Sequence, residues 1–159
     1  MNDLGRSQLD VIRIRQIVTA LVIDVDLLDF AAAERLFAPV VTVDYTSLWG
    51  GEAASMARGD LLAGWRALVP GFDATWHEVG EISVQLSGRN ASASCAVAAR
   101  HWIGAEVWLP KGRYEFALAK ANGWRIAEMR LVLEAEIGDR ALVERARARA
   151  ASTAVPTKR

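Results

Sequence analysis

Apolar positions near the start of the chain recur at the spacing of an α-helix. The pattern opens just after Ser7, where the sequence S-Q-L-D resembles a helix capping box with a shorter acid. We therefore predict a first helix that starts near Ser7 and buries one face. The residues that define this face are Leu9, Ile12, Ile17, Val18 and Leu21.

The segment that follows, "IDVDLLD", places aspartates among apolar residues. Aspartate is unfavourable inside helices and favours caps and turns, so we expect a break near residues 24–26. A second helix is predicted over residues 28–37. Pro39 is expected to end it, because the residue before a proline avoids the helical conformation.

A strand is predicted over residues 40–45, which are mainly β-branched. Residues 48–59 are glycine-rich and small, and indicate a loop. A third helix should then start at Gly59 or Asp60 and stop at Pro70.

The second half of the chain has the alternation and turn signals of β-hairpins, and ends in an amphipathic helix. The predicted strands cover residues 75–86, 91–103, 112–120 and 124–136, and the helix covers residues 138–150. Helices first and an antiparallel sheet afterwards indicate an α+β domain. Strands of this length can curl around a pocket that the helices close on one side.

Composition narrows the class of protein. A length of 159 residues favours a single domain, predicted over residues 1–150, with a flexible tail over residues 151–159. The 19 basic and 19 acidic residues cancel, so neither nucleic acid nor an anionic membrane is an expected partner. The "ERARARA" run is interpreted as a solvated helix face.

The N-terminal segment, the length of the apolar runs and the cysteine content bear on cellular location and disulfide chemistry. The polar N-terminal segment does not resemble a signal or transit peptide, and no apolar run approaches the roughly 20 residues that span a bilayer, so we expect a cytoplasmic protein. The single cysteine, Cys95, excludes an internal disulfide and a multi-cysteine zinc site. We expect it to be a small core residue.

The chain has only two histidines, His77 and His101, and both fall on predicted strands. A three-residue turn at residues 88–90 would pair Ser87 with Ala91, and the same register would place His77 directly opposite His101. A two-residue turn would shift the register by one and point the two rings to opposite faces. A bulge would also change the register.

Several short motifs, in their order along the chain, carry a family resemblance. The chain resembles the SnoaL-like branch of the nuclear transport factor two-like superfamily, and within it the scytalone dehydratase family. The similarity covers roughly residues 8–137. The motifs are "DLLDF", "LFAPVVTVDY", "TWHEVG", "AARHWI" and "NGWRIAEM".

This resemblance implies a fold and a set of site residues. The fold would be a cone, in which about three helices and a strongly curved antiparallel sheet enclose a pocket. By position, Asp26 matches the pocket aspartate, Tyr45 a pocket tyrosine, and His77 and His101 the two histidines. The superfamily also implies a homodimer or homotrimer. Asp24 competes for the aspartate role, but the spacing from Asp26 to Phe30 and Phe37 fits the motif without a gap.

The chain departs from the scytalone dehydratase pattern at two positions. Val25 stands where that family has a second catalytic tyrosine, and Tyr114 falls near its pocket asparagine. Because of these differences, the resemblance does not identify the substrate. An Asp–His pair without the remaining groups still supports an elimination in related members of the superfamily.

The function that these residues indicate is a cofactor-independent lyase acting on a small molecule. His77 would be the base, Asp26 its partner, Tyr45 a carbonyl polariser and His101 an auxiliary acid or positioning group. An apolar wall for a flat or ring-bearing substrate would come from Trp49, Trp65, Trp102 and Tyr114. We expect a dehydratase of a hydroxylated cyclic or polyketide-like carbonyl compound.

Other interpretations stay open at this stage. An isomerase or cyclase needs the same base without a leaving group, and the superfamily also supplies ligand-binding and dimerisation modules. Each histidine could be structural, and Asp24 and Asp26 could merely cap a helix. No metal is expected, because the Asp26–His77 pair would satisfy itself and no further ligand is evident.

Overall fold

The computed structural model describes residues 2–154. The helices are α1 (Asp3–Asp26), α2 (Phe30–Glu34), α3 (Thr46–Trp49), α4 (Arg58–Arg66) and α5 (Leu142–Ala154), with a 3-10 turn at Val69–Gly71. The strands are β1 (Phe37–Asp44), β2 (Ala54–Ala57), β3 (Ala74–Val79), β4 (Ser83–Ser87), β5 (Asn90–Ile103), β6 (Glu106–Lys120) and β7 (Trp124–Gly138).

All seven strands form one curved sheet in the order β2-β1-β7-β6-β5-β3, and β4 pairs with β5 beside β3. The pairs are antiparallel except β1 with β7, which is parallel. The architecture is therefore the predicted α+β class, but with a mixed sheet rather than a purely antiparallel one. No hairpin joins β1 to β7, so their relative direction is not set by a turn.

Helix α1 is longer than predicted at its start. It begins at Asp3, not near Ser7, because the Asn2 side chain accepts a hydrogen bond from the Gly5 amide at 2.8 Å. An N-cap asparagine of this kind satisfies one of the amides that a helix start leaves free. The S-Q-L-D segment lies inside the helix.

The end of α1 lies slightly beyond the predicted break. Asp24 remains helical, and the chain turns at Leu28, which has a φ of 60°. Asp29 then caps the short α2 by accepting from the Ala32 amide at 3.0 Å. The prediction that Pro39 ends this helix is wrong. Pro39 lies within β1, where the pairing with β7 is interrupted.

The segment predicted as a loop, residues 48–59, contains the end of α3 and all of β2. The predicted third helix corresponds to α4 and the predicted C-terminal helix to α5. Residues 151–154 of the predicted tail form the last turn of α5, and residues 155–159 lie outside the described part of the chain.

The core lies between α1 and the concave face of the sheet. Buried side chains alternate along β5 and include Cys95, which has the predicted core position. The face of α1 that packs on the sheet is formed by Ile14, Val18, Leu21, Val22 and Val25. No helix within residues 2–154 is long and apolar enough to cross a membrane.

Helix α5 packs on the 3-10 turn by a contact that only glycine allows. A Cβ on Gly71 would lie 1.8 Å from the carbonyl oxygen of Ala146. The close approach buries Leu142, Val143 and Ala146 and places α5 at one end of the sheet. As a result, α5 borders the cavity described below.

Candidate active site

The two histidines lie side by side on the concave face, but by a different register from the predicted one. The turn between β4 and β5 has two residues, so Ser87 pairs with Asn90 rather than with Ala91. The irregular segment 80–82 between β3 and β4 adds a second one-residue shift. His77 consequently pairs with Ala99, and His101 pairs with Thr75.

Two one-residue shifts restore the facing of the side chains, because side chains alternate with a period of two. His77 and His101 share a face of the sheet, with ring centroids 5.6 Å apart. The three-residue turn and the direct opposition of the histidines are therefore not observed; the two-residue alternative is, together with a second shift that keeps both rings on one face.

Asp26, the last residue of α1, is the carboxylate that contacts His77. Its Oδ1 lies 2.7 Å from His77 Nδ1 and accepts from the Thr75 hydroxyl at 2.8 Å. Its Oδ2 accepts from the His77 backbone amide at 2.8 Å. Since β3 is an edge strand, this amide is free to bond to the helix instead of to another strand.

This contact also determines which nitrogen of His77 can act as a base. An ionised carboxylate only accepts, so Nδ1 carries the hydrogen and Nε2 of the neutral ring is an acceptor. The His77 side chain lines the cavity, and it and Asp26 are largely buried, with 12% and 17% of their side-chain surface exposed. The pair thus has the arrangement of a carboxylate-oriented histidine base.

Two opposing effects act on the Asp26 carboxyl. Burial is the largest single effect and raises its pKa, while the hydrogen bonds from His77 and Thr75 and the charge of His77 together bring the pKa below its ordinary value. Asp26 also lies at the C-terminal end of a helix, where the dipole disfavours an anion. The surrounding donors therefore keep this carboxyl ionised.

His101 lies deeper, between two aromatic rings. Its centroid is 4.8 Å from that of Phe72 and 4.6 Å from that of Trp108, and its Nδ1 lies 3.3 Å from the Trp108 carbonyl. Burial, helped by the nearby His77, lowers the pKa of His101 to about 4. At neutral pH this ring is uncharged, and the contact with a carbonyl places its hydrogen on Nδ1.

A cavity of about 330 Å³ lies between the sheet and helices α1, α3, α4 and α5. Its volume is at the lower end of the roughly 300–1,000 Å³ that small-molecule sites occupy. His77 and His101 line it together with four residues predicted for the site: Tyr45, Trp49, Trp65 and Tyr114. Val25, at the position where the scytalone dehydratase family has a tyrosine, also lines it.

The two tyrosines are potential hydrogen-bond donors to a ligand. The Tyr45 hydroxyl has one weak contact, to the sulfur of Met129 at 3.9 Å, and burial raises the pKa of its phenol. Burial also raises the pKa of Tyr114. The Tyr114 hydroxyl makes no side-chain hydrogen bond within residues 2–154. Both phenols stay protonated at neutral pH.

Two residues considered for the site from the sequence, Trp102 and Asp24, do not belong to it. Trp102 does not line it, because its side chain alternates with that of His101 and belongs to the opposite face of β5. Trp76 alternates in the same way with His77 on β3, and it is 54% exposed next to Arg100. Asp24 has no contact with either histidine, and Asp26 takes the position for which the two aspartates competed.

Two further residues belong to the site and were not predicted. Thr75 could have been inferred, because it precedes His77 by two positions and so shares its face. Arg147 of α5 lines the cavity although the "ERARARA" run predicted a solvated face. Within residues 2–154, no three His, Cys, Asp or Glu side chains are grouped so as to hold a metal ion.

Comparisons with known proteins agree with this fold. The sequence model of the SnoaL-like domain matches residues 6–130, and no protein of curated function matches the chain. Kfla4162 from Kribbella flavida is 24% identical with a TM-score of 0.82, over 87% of this chain and 99% of that chain. Helix α5 lies beyond the segment that the family model matches.

Two other solved structures are similar at lower identity. A protein provisionally described as a scytalone dehydratase, from Novosphingobium aromaticivorans DSM 12444, is 17% identical with a TM-score of 0.72, over 86% of this chain and 91% of that chain. Hexachlorocyclohexane dehydrochlorinase LinA-type3 from Novosphingobium barchaimii LL02 is 13% identical with a TM-score of 0.69, over 87% of this chain and 95% of that chain. These likenesses show the fold alone.

Proposed function

The chain belongs to the SnoaL-like domain family, and we propose that this member is a cofactor-independent lyase. Its reaction would be the elimination of water from a hydroxylated cyclic or polyketide-like carbonyl compound. The observation that carries the proposal is the 2.7 Å contact between Asp26 and His77 at the wall of a mostly apolar cavity.

Elimination of water β to a carbonyl begins with removal of the α-proton. His77 Nε2 takes this proton, since Nδ1 is bonded to Asp26. The Asp26 carboxylate stabilises the imidazolium that forms and holds the ring in one orientation. The imidazolium can then return the proton to the departing hydroxyl, so that one histidine serves both steps.

The enolate that develops needs a hydrogen-bond donor. Tyr45 has this role, because its hydroxyl is protonated, lines the cavity and has only the weak Met129 contact to give up. His101 is uncharged at neutral pH because its pKa is lowered to about 4, so it serves as a positioning group rather than as an acid. Trp49 and Trp65 provide apolar walls for the ring system.

An isomerase or cyclase is the second candidate. It uses the same Asp26–His77 pair, because His77 Nε2 can take a proton and return it to another carbon without a separate acid. Mass spectrometry of the product separates the candidates, because only elimination removes one water molecule. A ligand-binding module would bind such compounds and leave them unchanged.

The experiment compares Asp26→Asn and His77→Ala with the wild type on a panel of hydroxylated cyclic ketones. We expect each change to lower turnover by about 10³–10⁴-fold while circular dichroism shows an intact fold. Glu78→Gln is the matched control, since Glu78 neighbours His77 but pairs with Arg100 on the opposite face of β3. Full activity in either site variant would exclude this mechanism.

A further inference from the structure

Arg147 is the one lysine or arginine among the described residues that line the cavity. It lies on α5, with half of its side chain exposed at the border of the cavity. The other wall residues are mainly aliphatic and aromatic. Mostly apolar sites use a few placed polar groups to orient their ligands, so a single permanent cation here is a candidate for such a group.

A continuous series of ring contacts connects Arg147 with the candidate base. The guanidinium carbon lies 5.7 Å from the centroid of Trp49, and Trp49 lies 5.7 Å from Trp108. Trp108 lies 4.6 Å from His101, which lies 5.6 Å from His77. These residues all line the cavity, with His77 at one end of the series and Arg147 at the other.

The present partner of Arg147 is a weak competitor for a ligand. Glu144 contacts it at 2.8 Å within the same helix, but 77% of the Glu144 side chain is exposed. Exposed pairs of this kind contribute roughly 0–1 kcal/mol. A ligand carboxylate inside the apolar cavity can form a bidentate pair with the guanidinium in less water, where the attraction is larger.

We propose that Arg147 is a specificity-determining residue that binds a carboxylate on the ring-bearing substrate of this cavity. The identification of that ligand as a substrate rests on the proposed function; the binding preference itself does not. Asp60 of α4 also lines the cavity, and its carboxylate disfavours an anion placed beside it, whereas Arg147 of α5 favours one. The reacting end of the ligand is then directed toward His77.

The chain offers a matched control for this proposal. The Arg140 guanidinium also lies 5.7 Å from the centroid of Trp49, but it does not line the cavity. Its Nε and Nη2 each donate to Glu136 at 2.6 Å, and its Nη1 donates to the Leu48 carbonyl at 2.9 Å. Replacing Arg140 thus removes a similar charge near Trp49 without removing a cavity residue.

The test compares two bicyclic probes of the same shape, 2-naphthoate and 2-naphthamide. Their dissociation constants are measured by calorimetry at low salt for the wild type, Arg147→Met and Arg140→Met. We expect the wild type and Arg140→Met to bind the carboxylate about tenfold more tightly than the amide. Arg147→Met should bind both probes equally.

The absence of any preference in the wild type, whether both probes bind or neither does, would overturn the proposal. A preference lost equally in Arg147→Met and Arg140→Met would also overturn it, since general charge near Trp49 would then explain the binding. Asp26→Asn separates this proposal from the catalytic one. If that variant keeps its turnover while the preference still depends on Arg147, the mechanism fails and the binding proposal stands.

Discussion

Two carboxylates toward opposite ends of helix α1 bond to the sheet, and they differ in whether their partners reach the cavity. Asp10 accepts from the Lys120 ammonium at 2.9 Å and from the Trp124 indole at 2.9 Å, next to the turn between β6 and β7. Asp26 accepts from His77 and Thr75 on β3. In both, hydrogen bonds help to hold the carboxyl pKa below its ordinary value.

The partners of Asp10 have no access to the cavity, whereas His77 has a ring nitrogen at its wall. A lysine bonded to a carboxylate is also a permanent cation, while a histidine can exchange a proton near neutral pH. A carboxylate that bonds from the helix to a strand therefore stabilises the fold at Asp10 and orients a base at Asp26. A lowered carboxyl pKa alone does not distinguish the two roles.

The largest expected contrast comes from making the same change at both ends. Asp26→Asn should lower turnover by about 10³–10⁴-fold. Asp10→Asn should leave turnover within about twofold and lower the free energy of unfolding by about 1.5–3 kcal/mol, as expected for lost hydrogen bonds to a charged group. Urea unfolding and turnover assays on both variants measure this. A large loss of turnover in Asp10→Asn would break the comparison.

His101 sharpens the contrast, because it is a buried polar residue without a carboxylate partner. Its pKa is lowered to about 4 in the folded protein and lies near 6.5 in an unfolded chain, so the unfolded chain binds more protons between these values. Stability is thus fully present above pH 6.5 and falls as the pH drops toward 4. In His101→Phe this dependence should disappear.

The measurement is urea unfolding at pH 7 and at pH 4.5. We expect the wild type to lose about 2–3 kcal/mol more than His101→Phe between these two values. Equal losses in both proteins would mean that the His101 ring is already charged, or already solvated, in the folded state.

The smallest expected effect concerns Thr75, which shares the Asp26 oxygen with His77. Thr75→Val keeps the shape of the side chain and removes one donor, so the pKa of Asp26 should rise and turnover at neutral pH should fall about tenfold. Carboxyl NMR titration gives the pKa. Thr75→Ser, which keeps the hydroxyl, should behave as the wild type; a pKa unchanged in Thr75→Val would remove the threonine from the site.

The secondary structure could be predicted best where patterns are long and regular. The strand pairs β5–β6 and β6–β7 follow from alternation and turn residues. Trp102 should have been excluded from the cavity by the same alternation, because it is adjacent to His101 on one strand. The start of α1 was missed because Asn2 caps the helix ahead of the apolar pattern.

The position of Asp26 came from a family motif and not from periodicity. Asp24 and Asp26 are two residues apart on one helix, and the sequence has no feature that says which of them faces β3. Arg147 was interpreted as solvated because its neighbours are charged. Its contact with the cavity depends on Gly71, far away in sequence, which lets α5 approach the 3-10 turn.

By itself, the sequence determined an α+β domain with helices first, a curled sheet afterwards, and a small set of residues with acid–base chemistry. Only the tertiary structure decided that His77 meets Asp26 and shares a face with His101. The reason is that the face on which a side chain lies, relative to its neighbours in the sheet, depends on the register of the strands. The register changes with each turn and irregularity. Here a two-residue turn and the irregular segment 80–82 each shift the register by one, and their sum places both rings in the same cavity.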